Sequence, residues 1–491
     1  MSILKSLYRQ PMSMLTDLYQ LTMAYGYWKS GMANHESVFN LFFRKNPFGG
    51  GYTIACGLEY VLEFLENFNF TSSDLNYLAT LKGHDGSPMF EEAFLKYLEQ
   101  LRFSCDVFAM PEGTAAFPHE PLLRIKGPII EAQLIETPLL NMINFQTLVA
   151  TKANRIYNAC EGAPVMEFGL RRAQGIDGAL AASRAAYIGG CTTTSNVEAG
   201  KLFGIPLSGT HAHSWVMTFD DEQTAFDTYA DAMPNNCILL VDTYNVLDGV
   251  NRAIKTGLRL KEEGKKLLAI RIDSGDLAYL SRQARLMLDE AGLQETQIVA
   301  SNDLDEHIVK SLKNQHASID LWGIGTKLIT AFDQPALGGV YKLAALKNEE
   351  GVWEHKIKLS EQSLKINIPG MLQVRRFSQG KEARADMIFD ENFPPQNQCL
   401  IVDPQDSTKR KKINQQEYET KDLLVPVIKE GKRIYKSPAI QQIREFALVQ
   451  MQGIHESIKR FEYPHFYVTG LEMGLHKRRE SLILELRNRK S

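Results

Sequence analysis

VMEFG (165–169), IPLSGTHAH (205–213), ILLVDTYN (238–245), LLAIRIDSGD (267–276), IVASND (298–303) and LWGIGT (321–326) repeat one phrase, a short apolar run ending in a polar or glycine-rich tip. Most are followed by a stretch with helical periodicity. Apolar strands alternating with helices at a spacing of roughly thirty residues are the pattern of a β/α barrel, whose strand tips converge on one face. The tips carry Glu167, Arg171, Thr210, His213, Asp242, Arg271, Asp273, Asn302, Asp303 and Gly325. The six phrases fill about 160 residues, short for eight complete units, so an irregular or incomplete barrel is expected.

Outward from this core the pattern changes. Leu15 to Trp28 reads as an amphipathic helix with Thr16 or Asp17 near its cap. ESVFNLFFR (36–44) reads as a strand followed by the turn NPFGGG, and Leu58 to Asn67 as a second helix. LLRIKGPIIEAQLI (122–135) reads as a hairpin leading into a long helix that begins near Pro138. Beyond the barrel, QPALGGVYKLAAL (334–346), GVWEHKIKLS and CLIVDP read as strands, and Gly474 to Asn488 as a charged, solvated helix. The expected protein is α/β in three parts. Residues 1–125 form an N-terminal mixed α/β domain and 126–335 an irregular β/α barrel carrying the site. Residues 336–491 form a C-terminal extension of strands and helices, packed on the barrel and partly completing the N-terminal domain.

With 491 residues the chain has room for roughly two to four units. Hydrophobic content of 44% and charged content of 23% describe an ordinary globular protein. A net charge of −3 gives no electrostatic case for nucleic acid or an anionic membrane as partner. The six cysteines are scattered without a CxxC pair, which suits reduced thiols in the cytoplasm. The opening MSILKSLYRQPMSMLTDLYQ has no uninterrupted apolar leader core, and no run elsewhere has transmembrane length.

The tips carry the chemistry. In GTHAHSW (209–215) two histidines spaced i, i+2 at a strand end can face one cavity. That suits either a His-x-His metal site or a single nucleophilic or acid/base histidine, and an ordinary loop histidine is the bland alternative. A metal site needs further ligands, and His307 and His316 fall on predicted helices. LLAIRIDSGD releases Arg271, Asp273, Ser274 and Asp276 into a turn. An Arg271–Asp273 pair on one strand face can offer a cation to an anionic substrate and a carboxylate to sugar hydroxyls, or can be a structural ion pair. LWGIGTKL presents Gly323, Gly325 and Thr326 as a phosphate-cradling turn, without the Walker spacing. EFGLRR places Phe168 beside Arg171 and Arg172, suited to a flat ring and a phosphate. GGCTTTSN (189–196) supplies hydroxyls and no acid, and Asp242 is a weaker candidate for a ribose or Mg²⁺ contact.

These segments together resemble the nicotinate phosphoribosyltransferase family in its bacterial form. The resemblance covers nearly the whole chain, through TDLYQLTM (16–23), EFGLRRA (167–173), GTHAHSW, RIDSGDL (271–277), WGIGT (322–326) and LGGVYKL (337–343). It implies an ATP-dependent, ligase-type enzyme of NAD salvage. Such an enzyme joins nicotinate to the phosphoribosyl group of phosphoribosyl pyrophosphate, with Mg²⁺ accompanying phosphoribosyl pyrophosphate and ATP. It also implies a homodimer with shared active sites. Residue by residue, His213 matches the histidine that ATP phosphorylates, and Asp273 a catalytic group beside ring and ribose. Thr210 lies in the nicotinate site, while Tyr19 and Phe168 sandwich the pyridine. Arg271, Arg171 and Arg44 bind substrate, with Tyr19 and Arg44 coming from the partner subunit. Gly323, Gly325 and Thr326 match the 5′-phosphate cradle and Thr330 a phosphoribosyl-site threonine. Nicotinamide-using relatives carry an Asp in the stretch that matches GGCTTTSN. Its absence favours the nicotinate anion. With Cys399 the only cysteine near the C-terminus, no zinc and no stable protein metal site are expected. The rival readings are a metal-dependent barrel hydrolase built on His211 and His213, and a non-catalytic nucleotide-binding homologue.

Overall fold

The computed structural model describes residues 11–362 and 365–488. The first ten residues of the opening stretch examined for a leader lie outside them. The chain forms two compact units, one of residues 1–147, 336–439 and 449–491, the other of 148–335 and 440–448.

The second unit is built on six parallel strands. Their spatial order is Thr193–Thr194, Val165–Glu167, Leu321–Ile324, Gln297–Ala300, Leu267–Ile272, Cys237–Leu240. The last strand in the chain pairs with the first, so chain order runs around the sheet. Cys237–Leu240 is buried at every position, as expected for a parallel strand covered on both faces. Helices follow the strands, among them Ile176–Gly189, Val246–Glu262, Leu277–Glu290 and Glu306–Asn314.

IPLSGTHAH is not a strand, which corrects the sequence expectation. Pro206 lacks a ladder donor and Gly209 adds freedom, so only Leu207 forms an isolated bridge, to Thr194. The segment nevertheless reaches both edges of the sheet. Thr194 N donates to Pro206 O at 3.0 Å on one side. On the other, Leu240 N donates to His211 Nε2 at 3.1 Å. One bridge and one side chain thus occupy the place of a regular strand. The strand missed in the sequence is Thr193–Thr194, only two residues long and without an apolar run.

An internal ion cluster ties the helices of this unit together. Glu306 lies 2.7 Å from Lys152 Nζ and 2.7 Å from Arg155 Nε, and all three side chains are essentially unexposed. Burial alone would raise the Glu306 pKa, yet the two cations outweigh it and hold the carboxyl below its ordinary value.

The first unit contains a seven-stranded sheet in which Glu36–Phe42 pairs antiparallel with Val340–Lys347 and with the central strand Leu123–Pro128. Phe39 and Tyr341 stack across that pairing at 4.9 Å. A six-stranded sheet gathers the later strands, including Leu372–Gln379, Glu382–Asp390, Gln398–Val402 and Arg410–Asn414. The buried Arg376–Asp386 pair lies in that sheet and receives the Tyr467 hydroxyl at 2.9 Å on Asp386. The first helix runs Leu18–Lys29 from Asp17, whose carboxylate accepts from Thr137 Oγ1 and does not cap the helix. The expected hairpin at 122–135 is instead the strand Leu123–Pro128 followed by the helix Ile129–Leu134. An apolar run buried on every side fits strand or helix equally until its neighbours decide. Of GVWEHKIKLS only Trp353–His355 is a strand, and the final helix is Met473–Asn488. Among the described residues no helix is long and apolar enough to cross a membrane.

Replacing Glu306 by Gln removes the carboxylate that two buried cations share, with Asp333 remaining 3.6 Å from Lys152 Nζ. The expected cost is about 3–5 kcal/mol of stability. Urea unfolding of Glu306→Gln checks it, and an unchanged midpoint would show that the cluster contributes little.

Candidate active site

The strand tips of the second unit surround a pocket of about 150 Å³. It is lined by Phe168, the Arg171–Arg172 pair, Arg271, Asp273, residues 301–303, Gly323, Gly325 and Thr326. Arg271 is its hub. Its Nε donates to Ser301 Oγ at 2.8 Å, one terminal nitrogen to Thr210 Oγ1 at 2.9 Å and the other to Asp273 Oδ1 at 3.0 Å. The guanidinium carbon lies 5.7 Å from the centre of the Phe168 ring. Alternation along the Leu267–Ile272 strand brings the Arg271 side chain to this position, and only 15% of it remains exposed.

Asp273 is fixed from two sides. Ser301 Oγ donates to the same Oδ1 that takes Arg271. The Asp273 backbone N–H donates to Asp242 Oδ2 at 3.0 Å, and Ser274 Oγ donates to that oxygen at 2.6 Å. Asp242 therefore holds the turn after the strand, while its Oδ1 is buried without a hydrogen-bond partner. Ser301, absent from the sequence-derived set, joins Arg271 to Asp273. Its position at the tip of IVASND was the available signal. Asn302 beside it has φ +116°, and its side chain accepts the Asp303 N–H at 2.8 Å. Such backbone strain in a pocket wall is a feature of functional loops.

The two glycines of LWGIGT have a steric role. A Cβ on Gly323 would stand 2.8 Å from the Phe168 ring, and one on Gly325 would stand 3.2 Å from the Phe168 carbonyl oxygen. Glycine lets the Leu321–Ile324 strand end pass flush against Phe168. Thr326 lines the pocket, whereas the Thr330 hydroxyl donates to Thr326 O at 2.7 Å within the short helix Thr326–Ile329 and its cap. Glu167, a tip residue in the sequence, is buried. It accepts from Ser183 Oγ at 2.8 Å, Thr194 Oγ1 at 2.6 Å and the Gly169 N–H, so it organises the strand end.

His211 and His213 part company. Leu240 N–H binds His211 Nε2, its Nδ1 lies 3.3 Å from Ala212 O, and its ring packs edge-on to Tyr229 at 4.8 Å. With both nitrogens engaged it offers no metal ligand, which removes the His-x-His reading. Burial, with Arg271 and His213 adding to it, draws its pKa down to about 4. His213 opens the helix His213–Met217 with 42% of its side chain exposed. Thr243 Oγ1 lies 3.2 Å from its Nδ1, and Asp273 Oδ2 lies 3.9 Å from its Nε2. Tyr19 and Arg44 belong to the first unit. Tyr19 is half exposed on the Leu18–Lys29 helix, and Arg44 lies over the Phe42 ring with its Nε buried and unbonded.

The His211 shift has a pH consequence. Unfolded, the imidazole takes up a proton below about 6.5, whereas the folded site resists until about 4. The unfolded state therefore binds more protons in that window and gains as pH falls. Lowering pH from 7.5 to 5 is expected to cost about 2 kcal/mol through this group alone. Urea unfolding at both pH values should show a loss smaller by that amount in His211→Gln. Equal losses in both proteins would mean that His211 is not held neutral.

The family model for the nicotinate phosphoribosyltransferase N-terminal domain matches residues 14–144, the family model itself 164–367 and the C-terminal domain model 373–479. The nicotinate phosphoribosyltransferase of Bacillus subtilis is 43% identical over 485 residues, covering 97% of this chain and 96% of that protein. Nicotinate phosphoribosyltransferase 2 of Arabidopsis thaliana is 38% identical, covering 94% of this chain and 92% of that protein. The crystal structure of human nicotinic acid phosphoribosyltransferase superposes with a TM-score of 0.83 at 32% identity, covering 95% of this chain and 99% of that one. The chain belongs to the nicotinate phosphoribosyltransferase family.

Proposed function

We propose that this enzyme transfers the phosphoribosyl group of phosphoribosyl pyrophosphate to nicotinate, coupled to ATP hydrolysis through phosphorylation of His213, in NAD salvage. The observation that carries the reading is Arg271. It joins Thr210, Ser301 and Asp273 in one pocket and lies over Phe168.

Each part has a chemical task. Phe168 offers its face to the pyridine ring, and Arg271 with Thr210 receives the nicotinate carboxylate. Asp273, held by Ser301 and Asp242, faces the ribose. Arg171, Gly323, Gly325 and Thr326 take the 5′-phosphate, with Thr330 behind them in the short helix. The pyridine nitrogen bonds to C1 of the sugar as the C1–pyrophosphate bond breaks, through an oxocarbenium-like state that a neighbouring carboxylate stabilises. Asp273 and Asp303 line the pocket and would offer hard oxygen donors to a Mg²⁺ ion carried in with the sugar pyrophosphate, which would supply charge neutralisation at the leaving group. His213 is half exposed between Thr243 and Asp273, so a phosphoryl group there would add negative charge beside the carboxylate. That repulsion gives the loops a reason to rearrange.

We further propose a homodimer in which Tyr19 of the partner subunit and the partner's Arg44 complete each site, placing Tyr19 on the pyridine face opposite Phe168. A cytoplasmic setting fits these soluble substrates.

Protein, nicotinate, phosphoribosyl pyrophosphate and Mg²⁺, with and without ATP, are expected to give nicotinate mononucleotide with ATP stimulation, and far less product from nicotinamide. His213→Ala should retain basal transfer and lose the stimulation, as read by chromatography. No product from the wild type, or full ATP coupling in His213→Ala, would overturn the reading. The shared site has its own test. Tyr19→Ala and Arg271→Ala should each be inactive, and mixing them under subunit exchange should restore about a quarter of wild-type activity. A mixture that stays inactive while its subunits exchange places Tyr19 in its own chain's site.

A further inference from the structure

A second cavity, of about 510 Å³, lies wholly in the first unit, between the start of the Glu382–Asp390 strand, Lys411 and the segment 455–468. Its wall is basic. Arg384, Lys411 and Arg460 line it together with His455 and His465. The one lining carboxylate, Glu382, is already paired with Arg384 at 2.9 Å. Arg460 is exposed and has no carboxylate partner among the described residues. Lys411 Nζ donates to Arg384 O at 3.1 Å, and partial burial together with the Arg384 charge lowers its pKa. Like charges gathered in a recess repel one another and concentrate a positive field there, which an anion relieves.

The recess is built rather than a chance gap between loops. His465 N donates to Ser457 O at 2.9 Å, which pinches the 455–465 segment into a loop. His455 Nδ1 accepts the Ser457 N–H at 3.2 Å, and Lys459 Nζ donates to Met451 O at 3.0 Å. A Cβ at Gly51 would collide with the Ile458 carbonyl, so glycine there lets the loop seat against the chain at 51. The floor is apolar, with Ile458 and Tyr467 buried, yet Phe466 leaves 61% of its surface exposed at the cavity.

We propose that this cleft is a binding site for a nucleoside di- or triphosphate, separate from the strand-tip pocket. The phosphates lie against Arg460 and Arg384, whose guanidinium groups match phosphate geometry, and against the Lys411 ammonium. The base lies on Phe466, where an aromatic face is otherwise left to water. Inorganic phosphate would fill a small part of the cavity, whose volume falls in the range of nucleotide-sized ligands. None of the residues lining this cleft has a part in the proposed phosphoribosyl transfer.

Equilibrium dialysis of the full chain with ADP counts the sites. Wild type is expected to bind one more ADP per chain than the double variant Lys411→Glu, Arg460→Glu, while phosphoribosyl transfer without added ADP stays the same. Phe466→Ala, which spares the charges, should weaken that additional ADP at least fivefold and leave pyrophosphate binding unchanged. It serves as the test if the double variant does not fold. Equal ADP stoichiometry in wild type and a folded double variant overturns the site. Undiminished ADP affinity in Phe466→Ala overturns the nucleotide assignment.

Discussion

The strand-tip pocket depends on a single guanidinium that is nearly out of water. A cation in that position needs its donors met, and Arg271 meets them with Ser301, Thr210 and Asp273, which belong to different tips of the sheet. The Arg271 fork fixes where those tips stand relative to one another, because a displaced tip leaves a buried donor unbonded. The same group lies over Phe168 and draws a further strand end into the arrangement. Pocket geometry and local stability therefore rest on the same contacts.

Steric limits complete what the charge begins. Phe168 can lie beside the Leu321–Ile324 strand end only because residues 323 and 325 have no side chain. Glu167, one residue earlier, is turned inward and bonded to Ser183 and Thr194, which pins the strand from which Phe168 projects. Thr194 belongs to GGCTTTSN, so its hydroxyl serves a buried carboxylate. The stretch thus contributes structure to the strand end whatever it contributes to ligand choice. Asp242 does for Asp273 what Glu167 does for Phe168, holding the backbone behind a pocket residue.

Much of this was legible in the chain. LLAIRIDSGD declares itself because two charges at the end of an apolar strand must find partners, and they find each other. Gly323 and Gly325 were legible as a phosphate-cradling turn, whereas the close approach they permit in the structure is that of Phe168. Ser301 was less visible, since a serine after an apolar run is common and its value comes only from lying between Arg271 and Asp273. The two-residue strand Thr193–Thr194 was invisible, because periodicity needs more residues than it has. Residues 129–134 misled for the opposite reason. Buried on every side, they carry no alternation to separate helix from strand.

The histidines show where spacing stops being informative. An i, i+2 pair faces one cavity only if both residues lie within a strand, and here no strand forms. The chain instead turns at Ala212 into a helix that starts at His213. One ring is then buried under Tyr229 with both nitrogens occupied, and neutrality is what lets it accept the Leu240 N–H. The other stands half exposed beside the Asp273 carboxylate. His211 serves the sheet as a stand-in for a missing strand, and that anchoring sets His213 within reach of Asp273. Two residues of one type, separated by a single alanine, have opposite duties because the sheet needed closing at that point.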